Sequence, residues 1–240
     1  MNKKKQSYVR DMIRFVTLSL LMASLFSCHA SNDIYVDHES AYGTVVEDNS
    51  NEWILLDDEI TMLKIVSYAI EPFNLEVGNR VYIIYTIVEE KNDPHPSALP
   101  VYSVIIHDIK KILVKNYLIG TEITEEEEAE LGIDKIDISN AWISAGYLNI
   151  NFYLYTANLP TNHFVNLVLD NANSTDEKKY LTFRHNAFTD NGTLQRFGRV
   201  SFNLKDIIGN MVSGSKIEFV LQWTSYQSEE NRESIIYTKK

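Results

Sequence analysis

From Tyr42 onward, apolar residues recur at alternate positions in short runs separated by clusters of Asn, Asp, Gly and Pro. A period of two is the signature of a half-buried strand. In the first half the runs are Tyr42–Glu47, Trp53–Asp57, Ile60–Val66, Arg80–Glu89 and Val101–Lys115. Turn residues at Asn49–Asn51, Asp57-Asp58, Asn74–Gly78 and Asn92–Pro96 punctuate them. Five β segments without a helical run between them predict a small OB-like β-barrel. In the second half the alternation is cleaner. Leu148, Ile150, Phe152 and Leu154 share one face, with Asn149, Asn151, Tyr153 and Tyr155 on the other. Val165, Leu167 and Leu169 repeat the pattern, as do Leu181 and Phe183, then Val200, Phe202 and Leu204, then Ile217, Phe219, Leu221 and Trp223. With a last strand near Glu233–Thr238 and one helical turn within Asp206–Val212, this predicts an all-β chain ending in an antiparallel β-sandwich.

Between the two regions lies an acidic block: Glu122, Glu125, Glu126, Glu127, Glu128 and Glu130, closed by Leu131-Gly132. Like charges at such density read as a solvated linker or one short helix. The expected layout is a leader over 1–27, a tether over 28–40, a barrel over 41–120, the acidic linker over 121–132 and a sandwich over 133–240. Each half carries enough alternating strands for its own core.

The N-terminus changes the picture. Lys3, Lys4, Lys5, Arg10 and Arg14 form a positive head, and an apolar run from Phe15 to Phe26 follows. That run is shorter than the roughly 20 residues a spanning helix needs. Leu25-Phe26-Ser27-Cys28 closes it with the only cysteine in the chain. A secretory signal with cysteine at its cleavage site resembles the lipobox of a bacterial lipoprotein. The implied product is cut before Cys28, exported, and held to a membrane by acyl chains such as palmitate on that cysteine. Stable anchoring needs more than one chain, at about 0.8 kcal/mol per buried methylene.

Charge then narrows the partners. The full chain carries a net charge of −11. Residues 1–27 hold five basic residues and one acid, so cleavage takes the remainder to −15. Such a chain is repelled by phosphate backbones, and no nucleic-acid partner is expected. With Cys28 committed to lipid no disulfide can form, so stability must come from burial.

Catalytic signatures are sparse. The sequence lacks a G-x-S-x-G elbow and an H-E-x-x-H helix. Gly209–Lys216 misses the P-loop pattern because Ser215 separates the lysine from Gly214. The acidic block lacks the alternating acids and glycine turn of an EF-hand. His163 and His185 flank the strands Val165–Leu169 and Leu181–Phe183. Were those strands to pair as a hairpin, both imidazoles would lie at one end of a sheet, near Asp170 or Asp190. That makes them weak metal candidates, against the alternative that each bonds a backbone carbonyl. Asp57-Asp58 reads as a turn rather than a carboxylate pair. Of Trp53, Trp142 and Trp223, which could stack on sugars, Trp223 continues an inward face. Tyr153 and Tyr155 point outward, where aromatic residues mark binding surfaces. No catalytic residue and no cofactor is assigned.

Several phrases, Gly43-Thr-Val45, Trp53-Ile-Leu-Leu-Asp57, Gly78-Asn-Arg-Val81, Leu148-Asn-Ile-Asn-Phe152, Phe183-Arg-His-Asn186 and Gly198-Arg-Val-Ser-Phe202, resemble in order and spacing the NigD-like lipoproteins of Gram-negative anaerobes. The resemblance implies an N-terminal OB-like domain, a C-terminal β-sandwich and a cell-envelope location, with the outer membrane as the expected anchor site. It also implies an association with bacteriocin immunity, by gene neighbourhood alone, and no established catalytic residues. Gly43 and Gly198 are expected where strands begin, permitting a bulge or bend. Arg184, His185 and Asn186 offer polar groups at a strand end, for a loop network or a ligand. The expected function is non-enzymatic binding of a protein or glycan partner. The rivals are a metal-dependent or hydrolytic enzyme using His163 and His185, and a structural envelope protein without a ligand.

Overall fold

The computed structural model describes residues 38–48, 51–91, 99–157 and 162–240. Cys28, the leader and most of the tether lie outside the described residues. Five strands, β1 (Glu39–Asp48), β2 (Asn51–Leu56), β3 (Met62–Tyr68), β4 (Arg80–Lys91) and β5 (Val101–Lys111), close into a barrel in the order β1-β2-β3-β5-β4. All pairs are antiparallel except β3 with β5. Register shifts at Ile84/Tyr85 and Ile87/Glu89 interrupt the β4–β5 ladder. Such irregularities bend long strands and help a small barrel close. Val45, Ile54, Leu63, Val81, Ile83 and Ile106 fill the interior, and Leu75 packs against them from the loop before β4. These are the alternate positions that the hydropathy pattern marks.

The run Val101–Lys115 is not one strand. It breaks at Ile112, whose N–H donates to the Arg80 carbonyl at 2.8 Å. Beyond it, β6 (Leu113–Asn116) and β7 (Leu118–Ile119) leave the barrel. They pair in parallel with two sandwich strands, β6 with β12 and β7 with β10. Residues 113–119, which sequence alone assigns to the end of the barrel, therefore supply edges to both sandwich sheets. A helix, α1 (Glu125–Leu131), follows, with Thr124 and Glu127 forming a reciprocal capping box. Its first turn holds four glutamates at the positive end of the helix dipole, which offsets part of their repulsion.

The remaining elements are β8 (Asp137–Ser144), β9 (Tyr147–Thr156), β10 (Phe164–Asp170), β11 (Lys178–Asn186), β12 (Leu194–Asn203), α2 (Lys205–Ile208), β13 (Lys216–Trp223) and β14 (Asn231–Thr238). They form a five-stranded sheet, β14-β13-β11-β10-β7, packed on a four-stranded one, β6-β12-β9-β8. The sandwich is not purely antiparallel: β11 runs parallel to β13, as β6 and β7 do to their neighbours. Leu148, Ile150, Phe152, Phe183, Phe202 and Phe219 dominate the core between the sheets. Each such side chain fully buried contributes about 1.5–3 kcal/mol.

Gly43 and Gly198 lie inside regular stretches of β1 and β12, not where strands begin. What they provide is space. A Cβ on Gly198 would meet the Phe152 ring at 2.3 Å, and one on Gly43 would meet Ile54 Cγ2 at 2.5 Å.

Barrel and sandwich share a polar seam. Arg80 at the start of β4 is completely buried. Its two terminal nitrogens fork onto Asp57 at 2.5 and 2.8 Å, and one also reaches Asn149 Oδ1 on β9 at 2.8 Å. Asp57 accepts further bonds from Ser144 Oγ (2.6 Å) and Trp142 Nε1 (3.3 Å), both on β8. Asn149 in turn accepts from Ser201 Oγ on β12. Beside this cluster, Tyr42 donates to Asn151 Oδ1 at 2.8 Å and accepts from Arg199 Nε at 2.9 Å. The Arg199 guanidinium is held between the rings of Tyr82 and Phe197, at 4.1 and 4.5 Å. Asp57-Asp58 is thus not a simple turn. Asp58 does cap one, accepting from the amides of Ile60 and Thr61, but Asp57 is the counter-ion of a buried arginine.

Burial alone would push the Asp57 carboxyl up, but Arg80, Ser144 and Trp142 outweigh it and hold it below the usual carboxylate value. Its stabilising contribution is therefore complete above about pH 4, the unfolded value, and is lost as pH falls through the lower folded value. Asp57→Asn keeps the shape and leaves Arg80 buried without a counter-ion. It should cost about 3–5 kcal/mol in urea unfolding at neutral pH, and should flatten the acid limb of the stability curve relative to wild type. A loss below 1 kcal/mol would mean that the seam carries little of the stability.

Candidate functional site

The hairpin expected from the sequence forms: β10 and β11 pair antiparallel, with Val165 opposite His185. His163, just before β10, and His185, near the end of β11, come together at one end of the sandwich. Their rings are nearly parallel, 5.1 Å apart. His163 Nδ1 lies 2.9 Å from His185 Nε2. The outer nitrogens are also engaged. His185 Nδ1 donates to the Lys135 carbonyl at 3.0 Å, and His163 Nε2 lies 3.1 Å from Asp190 Oδ2. The side chains of His163 and Asp190 are 7% and 2% exposed. Asp190 accepts from the backbone N–H groups of Ala157 and Gly192. Of the two aspartates near these histidines in sequence, Asp190 joins them. Asp170 instead caps the turn at Asn173. Burial holds His185 below the usual imidazole value; its bond to the Lys135 carbonyl opposes this, and the neighbouring His163 reinforces it.

His185 and Asp190 line a cleft of about 760 Å³ whose walls include Asp134, Tyr155, Asn191 and Tyr226. Glu229 and Glu230 also line it, from the loop between β13 and β14. Tyr226 packs edge-on against Tyr155 and its hydroxyl accepts from the Tyr155 amide, closing the wall where β8 no longer pairs with β9. Tyr153 stands on the same outward face and packs against Phe197, which is 42% exposed. The two outward tyrosines therefore belong to one aromatic surface that runs from the cleft towards Arg199.

Arg184 and Asn186 do not face this cleft. Arg184 donates to the Gly132 carbonyl (2.7 Å) and pairs with Glu128 (2.8 Å), while Asn186 donates to the Glu130 carbonyl. Together they dock α1 on the sandwich with Leu131 buried. The acidic block is thus a helix bound by β11, beyond the first two sandwich strands, rather than a free linker. Among the described residues, no group of three or more His, Cys, Asp or Glu is arranged to hold a metal ion. The His163–His185 pair is joined nitrogen to nitrogen.

A closed five-stranded barrel joined to a two-sheet sandwich defines a two-domain all-β protein. Residues 42–112 match the NigD-like N-terminal OB domain and residues 120–237 match the NigD-like C-terminal beta sandwich domain. The chain belongs to the NigD-like family. No curated protein matches it. Among solved structures, a protein of Parabacteroides distasonis described as toxin-related is 26% identical, with 85% of this chain and 95% of that one covered, at a TM-score of 0.67. A NigD-like immunity protein from Bacteroides caccae is 15% identical, with 85% and 98% covered, at a TM-score of 0.62. A protein of Bacteroides fragilis described as a lipoprotein is also 15% identical, with 85% and 99% covered, at a TM-score of 0.57. The latter two likenesses speak to the fold alone.

Arg184→Ala should release α1. Losing charge-assisted bonds worth about 1.5–3 kcal/mol should speed cleavage by a glutamate-specific protease within residues 125–130 by about tenfold or more, with the rest of the sandwich still resistant. Unchanged cleavage would show that Leu131 alone holds the helix.

Proposed function

We propose that this protein is a lipid-anchored component of the cell envelope, held by acylated Cys28 in the outer membrane of a Gram-negative bacterium, and that it binds a protein or glycan partner without catalysing a reaction on it. The observation that carries the non-catalytic part is the use of the imidazole nitrogens. All four ring nitrogens of His163 and His185 are engaged, with each other, with the Lys135 carbonyl and with Asp190. Each of them already faces a protein group. The binding part rests on the cleft beside them, which offers aromatic walls, amides and carboxylates on a rigid sandwich. Such groups accept sugar hydroxyls or basic side chains. The description of one structural relative, 26% identical, as toxin-related agrees with the association with bacteriocin immunity that the family resemblance implies.

Two measurements test this reading. Cys28→Ala should remove the detergent-phase partitioning of the mature protein and leave either an uncut precursor or a soluble form. If the cut Cys28→Ala protein still partitions into detergent, the anchor is elsewhere. Dialysis against zinc should leave well under one equivalent bound. Stoichiometric zinc that disappears in both His163→Ala and His185→Ala would overturn the non-catalytic reading in favour of a metalloenzyme.

A further inference from the structure

We propose that His163 and His185 share one extra proton in the folded protein, and that this proton latches the turn over residues 187–192 beside the cleft. The hydrogens along the pair can be counted. The chain of contacts runs from the Lys135 carbonyl through His185 and His163 to Asp190, and it contains three hydrogen bonds. Its two ends are a carbonyl and a carboxylate. The carboxylate accepts from the amides of Ala157 and Gly192, which favours its ionised form. Both ends are therefore acceptors, so His185 must carry hydrogen on Nδ1 and His163 on Nε2. Two neutral imidazoles hold only those two hydrogens. The central contact at 2.9 Å would then set two lone pairs against each other. A third hydrogen, and with it one positive charge on the pair, turns that contact into a bond.

The charge belongs on His163. His185 is the more deeply buried ring and its other bond is to a neutral carbonyl, whereas His163 faces the Asp190 carboxylate. The surrounding charges favour a single cation. Asp134, whose carboxylate accepts from the Ala187 amide, approaches from the segment before β8, and Glu229 and Glu230 line the cleft across from His185. Among the described residues that line the cleft, Lys135 is the one lysine or arginine. Arg184, next to His185 on β11, is turned to α1.

The turn itself needs holding. Phe188 and Thr189 both have positive φ, at 47° and 69°. This is an uncommon conformation for residues other than glycine, and an outlier for a β-branched one. They sit immediately before Asp190. Through Asp190 the turn is tied to Ala157 after β9, to His163 before β10, and to Gly192. Gly192 lies so close to Thr156 that a Cβ there would fall 1.8 Å from its carbonyl carbon. Backbone held in a sparsely populated region beside a cleft is where local switching is expected.

The latch then works over a window of pH. An unperturbed imidazole titrates at about 6.5. Burial depresses His185 in the folded protein. Its neutral form is therefore a source of stability above that value, lost as pH falls through the lower folded one, when a second N–H would face the first across the central contact. On the alkaline side the bond is lost as the pair gives up its extra proton. These are macroscopic steps of the pair rather than of either ring.

The test needs no ligand and so stands apart from the binding reading above. Long-range ¹H–¹⁵N spectra of the ¹⁵N-histidine-labelled mature chain in detergent micelles, assigned with His163→Gln and His185→Gln, read the ring protons directly. At neutral pH one ring of the pair should show both nitrogens protonated and the other only Nδ1. Two neutral rings at neutral pH would overturn the proposal. Amide exchange corrected for intrinsic rates provides the second arm. Protection of Ala157 and Gly192 should fall by about tenfold when the pair is neutralised at alkaline pH, and Asp190→Asn should move that loss to lower pH. Protection that does not change with pH in wild type would equally overturn it, whether or not the glutamine variants fold.

Discussion

A guanidinium with no access to water organises this molecule. Arg80 must be neutralised where it lies, because an uncompensated charge in the interior costs several kcal/mol. Its counter-charge comes from the barrel, through Asp57, and a further acceptor comes from the sandwich, through Asn149. Neither domain alone surrounds the arginine. Ser144 and Trp142 donate to Asp57 and Ser201 donates to Asn149, each at an oxygen that also accepts from the arginine, and so extend the same network. The orientation of the two domains is thereby a hydrogen-bonding solution, and barrel, seam and sandwich behave as one body from His38 to Lys240.

Polar members of four of the six phrases that mark the family resemblance converge here. Asp57 ends one phrase, Arg80 lies in another, Asn149 and Asn151 in a third, and Arg199 and Ser201 in a fourth. Their sequence signal was legible in principle: a lone arginine opening an apolar strand, and an aspartate closing the run Trp53-Ile-Leu-Leu, are charges where a core pattern expects none. Without a second strand to pair them with, Asp57 reads only as a turn residue and Arg80 only as the first residue of its run. All five barrel strands and the strands from β9 onward were legible, because each alternates against a single core. Strand β8 was not, since its ladder to β9 slips at Ile138/Asn140 and only Ala141 and Ser144 on it are buried. The split of Val101–Lys115 was equally hidden. Alternation says that a segment is extended, but not which sheet it joins.

The histidine pair shows the same boundary in side-chain terms. The hairpin offset placed His163 and His185 at one end of a sheet, and Asp190 was within sequence reach. What periodicity could not supply was the mode of contact. The rings meet nitrogen to nitrogen, and a backbone carbonyl from the segment before β8 closes the chain. That carbonyl carries no sequence signal, since every residue has one. The docking of α1 was hidden for a related reason: its glutamates are solvated, and the contacts that hold it come from two residues on β11.

The outward faces of β9 and β12 invert the usual rule of burial. Where the barrel covers them they carry Asn149, Asn151, Arg199 and Ser201; where they are open they carry Tyr153, Tyr155, Gln195 and Phe197. A seat lined with greasy side chains tolerates sliding, because area is conserved as one surface shifts over another. A seat lined with amides, hydroxyls and a guanidinium does not, because each bond has a direction and fails within an ångström. The barrel is keyed to the sandwich rather than stuck to it. The open aromatic half of those strands is consequently presented at a fixed attitude to the barrel, as a jaw is to its handle.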